Sequence, residues 1–247
     1  MDKHKKKAFG EYDNIGEYHK EIDDNWKYYP IYITKMEYVE AYLGKKGANK
    51  RILDVGCGEG VLVEKYYKEG MDIIGLDKFY SSDFIIRGDI TKMPFKSERY
   101  DLVLCLDVIE HLNFDEQEKA LIEIRRVLRD DGHLLIAIPN LAHFASRISF
   151  LLTGNLIRTS NIERHKGDRP INEYVKLLRI KKFEIIKRKG LFPTFPISSV
   201  LTYCFPGKVV RLHRILNKLF AYPNFCFLNI IIARKASSVQ QTLSDDL

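Results

Sequence analysis

A chain of 247 residues, 45% of them hydrophobic, is long enough for one α/β domain with a sizeable core. No apolar run reaches the roughly 20 residues of a bilayer-spanning helix, and the basic start, MDKHKKKAFGEYDN, lacks the apolar segment of a secretory signal, so a cytoplasmic location is expected. The net charge of +7 admits nucleic acid, acidic lipid or an anionic substrate as partner, but there is no RNP-type aromatic motif, C2H2 spacing or internal repeat, and Cys57, Cys105, Cys204 and Cys226 form no CxxC pair.

Residues 1–25 are polar and are expected to form a mobile N-terminal segment, with Lys3 to Lys7 a solvated cluster. Residues 26–236 read as one domain, and 237–247 as a polar tail. Tyr28, Tyr29 and Tyr32 precede a helix compatible with Ile33, Met36, Tyr38, Val39 and Leu43, which GKKGANK breaks. A strand at Arg51–Val55 runs into a glycine loop. A helix follows at about Glu59–Lys68, closed by Glu69-Gly70.

Asp72–Leu76, ending at Asp77, is a second strand, and Phe84–Arg87 a short third. Tyr100–Leu106 is a strongly apolar fourth. Phe114 opens a helix reaching about Leu128, Asp130-Asp131-Gly132 forms its exit turn, and His133–Ile138 is a fifth strand stopped by Pro139. Ile171–Leu178 reads as a helix, Phe183–Lys187 as a strand and Cys226–Ala233 as the last strand. A long insertion, 190–224, lies between those two strands. Alternating helices and nearly all-apolar strands predict a parallel sheet covered on both faces.

The loop DVGCGEG joins the first strand to the first helix, at the ligand-binding end of such a sheet. Dinucleotide folds prefer GxGxxG. Here Gly56, Gly58 and Gly60 alternate and Val61 occupies the position of the third glycine, which disfavours a nicotinamide oxidoreductase. Three carboxylates give the context. Asp54, two residues before Gly56, suits a positively charged amino group. Asp77, ending the second strand, can accept from two ribose hydroxyls. Asp89, after the third strand, can accept from the amine of adenine while Ile90 packs on the ring.

DVGCGEG, GLD, GDI, YDLVLCLDVIEHL and LRDDGHLLIAIPN occur in order and at the usual spacing. Together they resemble the class I S-adenosylmethionine-dependent methyltransferases. Within that group the chain is similar to the branch of ubiquinone-biosynthesis O-methyltransferases, MetW-like proteins and glycan-pathway methyltransferases. The resemblance is good over 50–140, weaker over 25–50 and 140–190, and nearly absent over 190–224. It implies a Rossmann-like, doubly wound, seven-stranded sheet with the last strand antiparallel, and S-adenosyl-L-methionine as methyl donor. It places Asp54, Gly56 and Gly58 at the methionine part, Asp77 at the ribose, and Asp89 and Ile90 at the adenine, with Cys57 and Lys78 also cofactor-binding. It also gives the carbonyl of Leu106 to the methionine ammonium.

The acceptor is read as a small-molecule, glycan or lipid-linked oxygen, with glycans first and quinone-like phenols second, mainly by analogy. Two rivals stay open: a nucleic-acid methyltransferase, against which DVIEHL stands in place of an Asn/Asp-Pro-Pro-aromatic tetrapeptide, and a non-catalytic cofactor-binding protein of the same fold. His143, in IPNLAHF, is the first candidate for a base or substrate contact. His165, in NIERHKGD, is the second, with Arg164, Lys166 and Arg169 as contacts for an anionic substrate.

Asp107, Glu110 and His111 form D-x-x-E-H, a group that binds a divalent metal in some related O-methyltransferases. The preferred reading is that Glu110 and His111 brace the loop, with no metal required. Tyr28, Tyr29 and Tyr32 are candidates for a lid. In the insertion, Val209, Leu212, Leu216, Leu219 and Phe220 recur at helical spacing among Lys208, Arg211, Arg214 and Lys218. That basic amphipathic helix is read as a cap or dimer contact, with a peripheral membrane role as the alternative.

Overall fold

The computed structural model describes residues 22–158 and 163–236. Most of the expected N-terminal segment and the whole 237–247 tail lie outside the described residues. Seven strands form one sheet in the order β3-β2-β1-β4-β5-β7-β6. Strands β1 (Ile52–Val55), β2 (Ile73–Asp77), β3 (Ile85–Arg87), β4 (Tyr100–Leu106) and β5 (Leu128–Pro139) pair in parallel. β7 (Cys226–Lys235) inserts antiparallel between β5 and β6 (Phe183–Pro193). This is the expected doubly wound sheet with its last strand antiparallel.

Both faces of the sheet are covered, so strand residues alternate between two apolar layers. On one side Leu53, Val55, Val103, Leu134 and Ile136 pack with α3 (Phe114–Val127) and α5 (Ile171–Ile180). On the other, Ile52, Leu102, Leu104 and Leu135 pack with α1 (Tyr29–Lys46) and α2 (Val61–Lys68). α3 begins with a reciprocal capping box, in which Asn113 accepts from the Glu116 amide and Glu116 accepts from the Asn113 amide.

Several boundaries differ from expectation. α1 runs through Gly44 to Lys46, with Pro30 in its first turn, where no amide donor is needed. The Asp130-Asp131-Gly132 turn is instead a bulge inside β5. Pairing starts at Tyr100–Leu128, shifts, and resumes at Leu102–His133, with Asp131 at φ +59°. β6 extends to Pro193 because its pairing with β7 continues through Gly190–Asn229 to Pro193–Cys226, so the first residues of the expected insertion belong to the sheet.

Two further helices, α4 (Phe144–Thr153) and α6 (Pro196–Cys204), were not expected. The basic helix is present as α7 (Val210–Leu219), but the residues it buries are His213 and Asn217. All four cysteines are free thiols, with Cys105 and Cys226 buried and Cys204 exposed. No described helix is long and apolar enough to cross a membrane.

Candidate active site

The carboxyl ends of β1, β2 and β4 open into a cavity of about 550 Å³. Its wall includes all nine residues of the expected cofactor set: Asp54, Gly56, Cys57, Gly58, Asp77, Lys78, Asp89, Ile90 and Leu106. The glycine loop is tied to the end of β2, since the Gly56 and Cys57 amides donate to the Leu76 carbonyl at 2.7 and 3.3 Å, and the Gly58 amide donates to Asp77 Oδ2 at 2.8 Å. Asp77 Oδ1 also accepts from the Phe79 and Tyr80 amides, so this buried carboxylate organises both loops that line the cavity.

Gly56 sits at φ +70°, and a Cβ there would lie 2.4 Å from Val108 Cγ2. Left-handed strain and that clash together predict that Gly56→Ala loses about 2 kcal/mol. A thermal melt should register this as a midpoint several degrees lower.

The cavity is acidic. Asp54 is buried on β1, and desolvation pushes its carboxyl up to about 7, with Lys35 pulling it down and Asp77 pushing it further up. Asp89 is held below the usual carboxylate range, chiefly by hydrogen bonds from the Thr91 hydroxyl (2.7 Å) and amide (2.8 Å), with the Lys78 ammonium 3.7 Å away. Burial holds the Glu110 carboxyl well above its ordinary value, and its Oε2 has no hydrogen-bond partner. Asp107 stands at φ +56° directly after β4. Its Oδ2 accepts from Lys35 Nζ at 2.6 Å, and its buried Oδ1 accepts from nothing.

Lys35 was not singled out from the sequence. It lies in the stripe Ile31, Lys35, Val39, Leu43, four residues apart on the buried face of α1. A lysine in an otherwise apolar stripe was the available signal. Aromatic rings from the segment before and within α1 complete this side of the cavity. Trp26, Tyr28 and Tyr32 all line it, and Tyr28 stacks on Phe227 at 6.2 Å. Desolvation, then the Glu59 and Asp107 charges, push the Tyr32 hydroxyl up to about 12. Tyr29 opens α1 and is not part of the wall.

The two candidate histidines part company. His143 is absent from the cavity wall. It caps α4 by accepting from the Ser146 amide at 3.3 Å, and Nδ1 is 3.0 Å from the Thr194 hydroxyl. Burial pushes its imidazole down to about 4. The expectation that His143 faces the transferred methyl therefore meets a structural cap behind Phe227, whose ring it contacts edge-on at 5.5 Å.

His165 does line the cavity. Its Nδ1 is 3.2 Å from Asp168 Oδ1, a carboxylate partner that assigns the proton to Nδ1 and the lone pair to Nε2. Its ring meets His111 edge-on at 4.7 Å, and His111 Nδ1 lies 3.2 Å from the Arg164 carbonyl. Arg164 also lines the cavity. Arg169 instead bonds Gln117 and covers the Phe114 ring, and Lys166 is exposed away from the wall.

One donor atom each from Glu110, His111 and His165 lie within 4.8 Å of one another. The expected triple Asp107, Glu110 and His111 is thus not the set brought together, because Asp107 is turned to Lys35. A carboxylate and two imidazoles are a donor set that suits a divalent transition metal, and the orphaned Glu110 Oε2 fits that use.

Residues 53–136 match the family model of a methyltransferase domain. An uncharacterized protein of Methanocaldococcus jannaschii is 38% identical over 104 residues, which are 39% of this chain and 45% of that protein. The ubiquinone biosynthesis O-methyltransferase of Photobacterium profundum is 27% identical over 106 residues, 37% of this chain and 44% of the enzyme. The matched stretch thus spans under half the length of these curated relatives. A SAM-dependent methyltransferase from Archaeoglobus fulgidus superposes with a TM-score of 0.54 over 84% of this chain and all of its own, at 21% identity, a likeness of fold alone. From β1 to β5 the sequence motifs and the family match agree: residues 53–136 match a methyltransferase domain, on a fold like that of a solved S-adenosylmethionine-dependent methyltransferase.

Proposed function

We propose that this chain transfers a methyl group from S-adenosylmethionine to an oxygen of a small, ring-bearing or lipid-linked acceptor. The observation that carries the reading is the cavity itself, where seven carboxylates, from Asp54, Glu59, Asp77, Asp89, Asp107, Glu110 and Glu116, face three cations, Lys35, Lys78 and Arg164. A ligand with a sulfonium and an ammonium suits that balance. The donor supplies an electrophilic methyl carbon. The residues of this chain bind and orient it: Asp54 and the Leu106 carbonyl at the ammonium, Lys35 at the carboxylate, Asp77 and Lys78 at the ribose, Asp89 and Ile90 at the adenine.

Methyl transfer is an in-line displacement in which the acceptor oxygen bonds to the methyl carbon as the carbon–sulfur bond breaks. Much of the rate comes from holding the two reactants in line. A hydroxyl acceptor must also lose its proton, and Nε2 of His165 is the base we assign to it, held by Asp168. The rings of Trp26, Tyr28, Tyr32 and Phe227 favour an acceptor with a flat apolar face, which a phenol or a sugar ring both offer. The O-methyltransferase name of the Photobacterium relative points the same way.

The Glu110–His111–His165 donor set supports a second reading, in which a bound divalent cation would lower the pKa of the acceptor hydroxyl. The test is incubation with methyl-labelled donor and hydroxylated acceptors, phenolic lipids and glycans in parallel. Label appearing in an ether product supports the reading. Donor binding with no transfer to any oxygen acceptor would overturn it and leave the nucleic-acid and binding-module alternatives.

Lys35 gives a smaller, separate expectation. Lys35→Met should weaken S-adenosylhomocysteine binding about tenfold through loss of a charge-assisted contact. It also strips Asp107 and Asp54 of their neighbouring cation. The variant should therefore lose more thermal stability at about pH 8 than at about pH 6, where the carboxyl at Asp54 is largely protonated. Melts at the two pH values check this.

A further inference from the structure

Three helices outside the main core have their polarity reversed. α4 buries only Ser146, α6 buries only Ser198 and Thr202, and α7 buries only His213 and Asn217. These inward groups bond one another or nearby backbone. Thr202 Oγ1 lies 2.7 Å from His213 Nε2, Asn217 Oδ1 accepts from the Phe192 amide at 2.6 Å, and Ser146 Oγ accepts from the Ile157 amide at 3.0 Å. The large apolar side chains point outward instead. Leu151 and Leu152 on α4 are 83% and 76% exposed, Ile197 on α6 is 77% exposed, and Phe150, Val200 and Tyr203 are exposed beside them. Scattered exposed leucines are ordinary. Two neighbouring helices that turn serine and threonine inward and leucine and isoleucine outward are not.

The helices are held together by one aromatic cluster. Phe144 at the start of α4 meets Phe195 before α6 at 5.8 Å, Phe195 meets Phe220 after α7 at 5.3 Å, and Phe144 meets Phe225 at 6.2 Å. The start of α4, the start of α6 and the end of α7 therefore adjoin one another, and the three helices form one rim. The rim adjoins the cavity through Phe227, whose ring contacts both His143 and Phe192.

Charge identifies the partner. From Ile185 to Lys235 the chain has nine lysines and arginines and no aspartate or glutamate, and residues 132–162 have no acidic residue either. Lys208, Arg211 and Lys218 are exposed around α7. A second copy of the chain would bring the same acid-free, cationic segments face to face. An anionic lipid surface would accept the apolar side chains and neutralise the basic ones together.

We propose that the α4–α6–α7 rim docks on an anionic membrane surface. Phe150, Leu151, Leu152, Ile197 and Val200 enter the acyl boundary, and Lys208, Arg211 and Lys218 meet the headgroups. The inference does not depend on what the cavity binds.

Flotation with phosphatidylcholine vesicles containing about 30% phosphatidylglycerol, beside pure phosphatidylcholine, tests it. The wild-type chain should float with the anionic vesicles, lose most of that binding at high salt, and bind neutral vesicles weakly. Leu151→Glu with Leu152→Glu, and separately Ile197→Glu with Val200→Glu, should each reduce binding roughly tenfold or more. Because these side chains are solvent-exposed, thermal midpoint and S-adenosylhomocysteine affinity should not move. Wild-type protein that ignores anionic vesicles, variants that float as well as wild type, or a wild-type dimer that the substitutions split into monomers would each overturn the proposal. Loss of nucleoside binding in the wild type would instead count against the methyltransferase reading alone.

Discussion

Replacing His165 by asparagine should slow methyl transfer by about 100-fold while leaving S-adenosylhomocysteine affinity within about twofold. Asparagine can still donate to Asp168 but has no basic nitrogen facing the cavity, so the variant removes proton transfer and keeps the local bond. Asp168→Asn acts through His165, by withdrawing the carboxylate that assigns the tautomer, and should cost about tenfold in turnover with the donor KM unchanged. A chelator separates this from the metal reading. If His165 works as a base, exhaustive chelation leaves the wild-type rate intact. If Glu110, His111 and His165 hold a cation, chelation abolishes turnover, a divalent ion restores it, and His111→Ala becomes as inactive as His165→Asn. An unaltered rate in His165→Asn would remove both roles.

Asp54→Asn should move stability and binding in opposite directions. In the folded chain the Asp54 carboxyl titrates near 7 instead of 3.8, because burial disfavours its charge. Its contribution to stability is complete below 3.8 and is lost as pH rises through about 7, since the folded state holds a proton that the unfolded chain has released. At about pH 8 the wild type thus carries a buried charge, and the neutral asparagine should raise stability by about 2 kcal/mol.

The same substitution removes the anion that meets the ligand ammonium, and affinity for S-adenosylhomocysteine should fall about 100-fold. Wild-type affinity should itself rise up to about tenfold between about pH 6 and pH 8, as the ionised fraction of Asp54 grows, whereas the asparagine variant should be flat. Melting curves and titrations at the two pH values measure both effects. A variant that is less stable at pH 8 and binds normally would show that Asp54 serves the fold.

The parts of the molecule that could be read from the sequence are those where side-chain polarity follows burial. The strands buried on both faces stood out as apolar runs, and the aspartates at or just after their carboxyl ends marked the cavity. The unread parts break that relation. α4 and α6 turn their apolar side chains to solvent and their serines and threonine inward, so a search for a core-facing stripe finds none. Lys35 occupies a core position on α1 because its partner, Asp107, reaches it from 72 residues away.

His143 had the right place in the chain order and the wrong environment, since Thr194 and the Ser146 amide claim its ring. The pairing of His165 with Asp168 is local, three residues apart in HKGD, and could have been weighed as a unit. The β5 bulge looked like an exit turn because Asp130-Asp131-Gly132 has turn composition. Only the pairing of Leu128 with Tyr100 shows that the strand has already begun.

The most direct measurement is calorimetric titration of the wild-type chain and of Asp54→Asn with S-adenosylhomocysteine at about pH 8. Saturable one-site binding by the wild type, weakened about 100-fold in the variant, is the predicted result. No binding by a wild-type protein that melts cooperatively, or equal binding by both chains, would contradict the assignment of this cavity to the methyl donor.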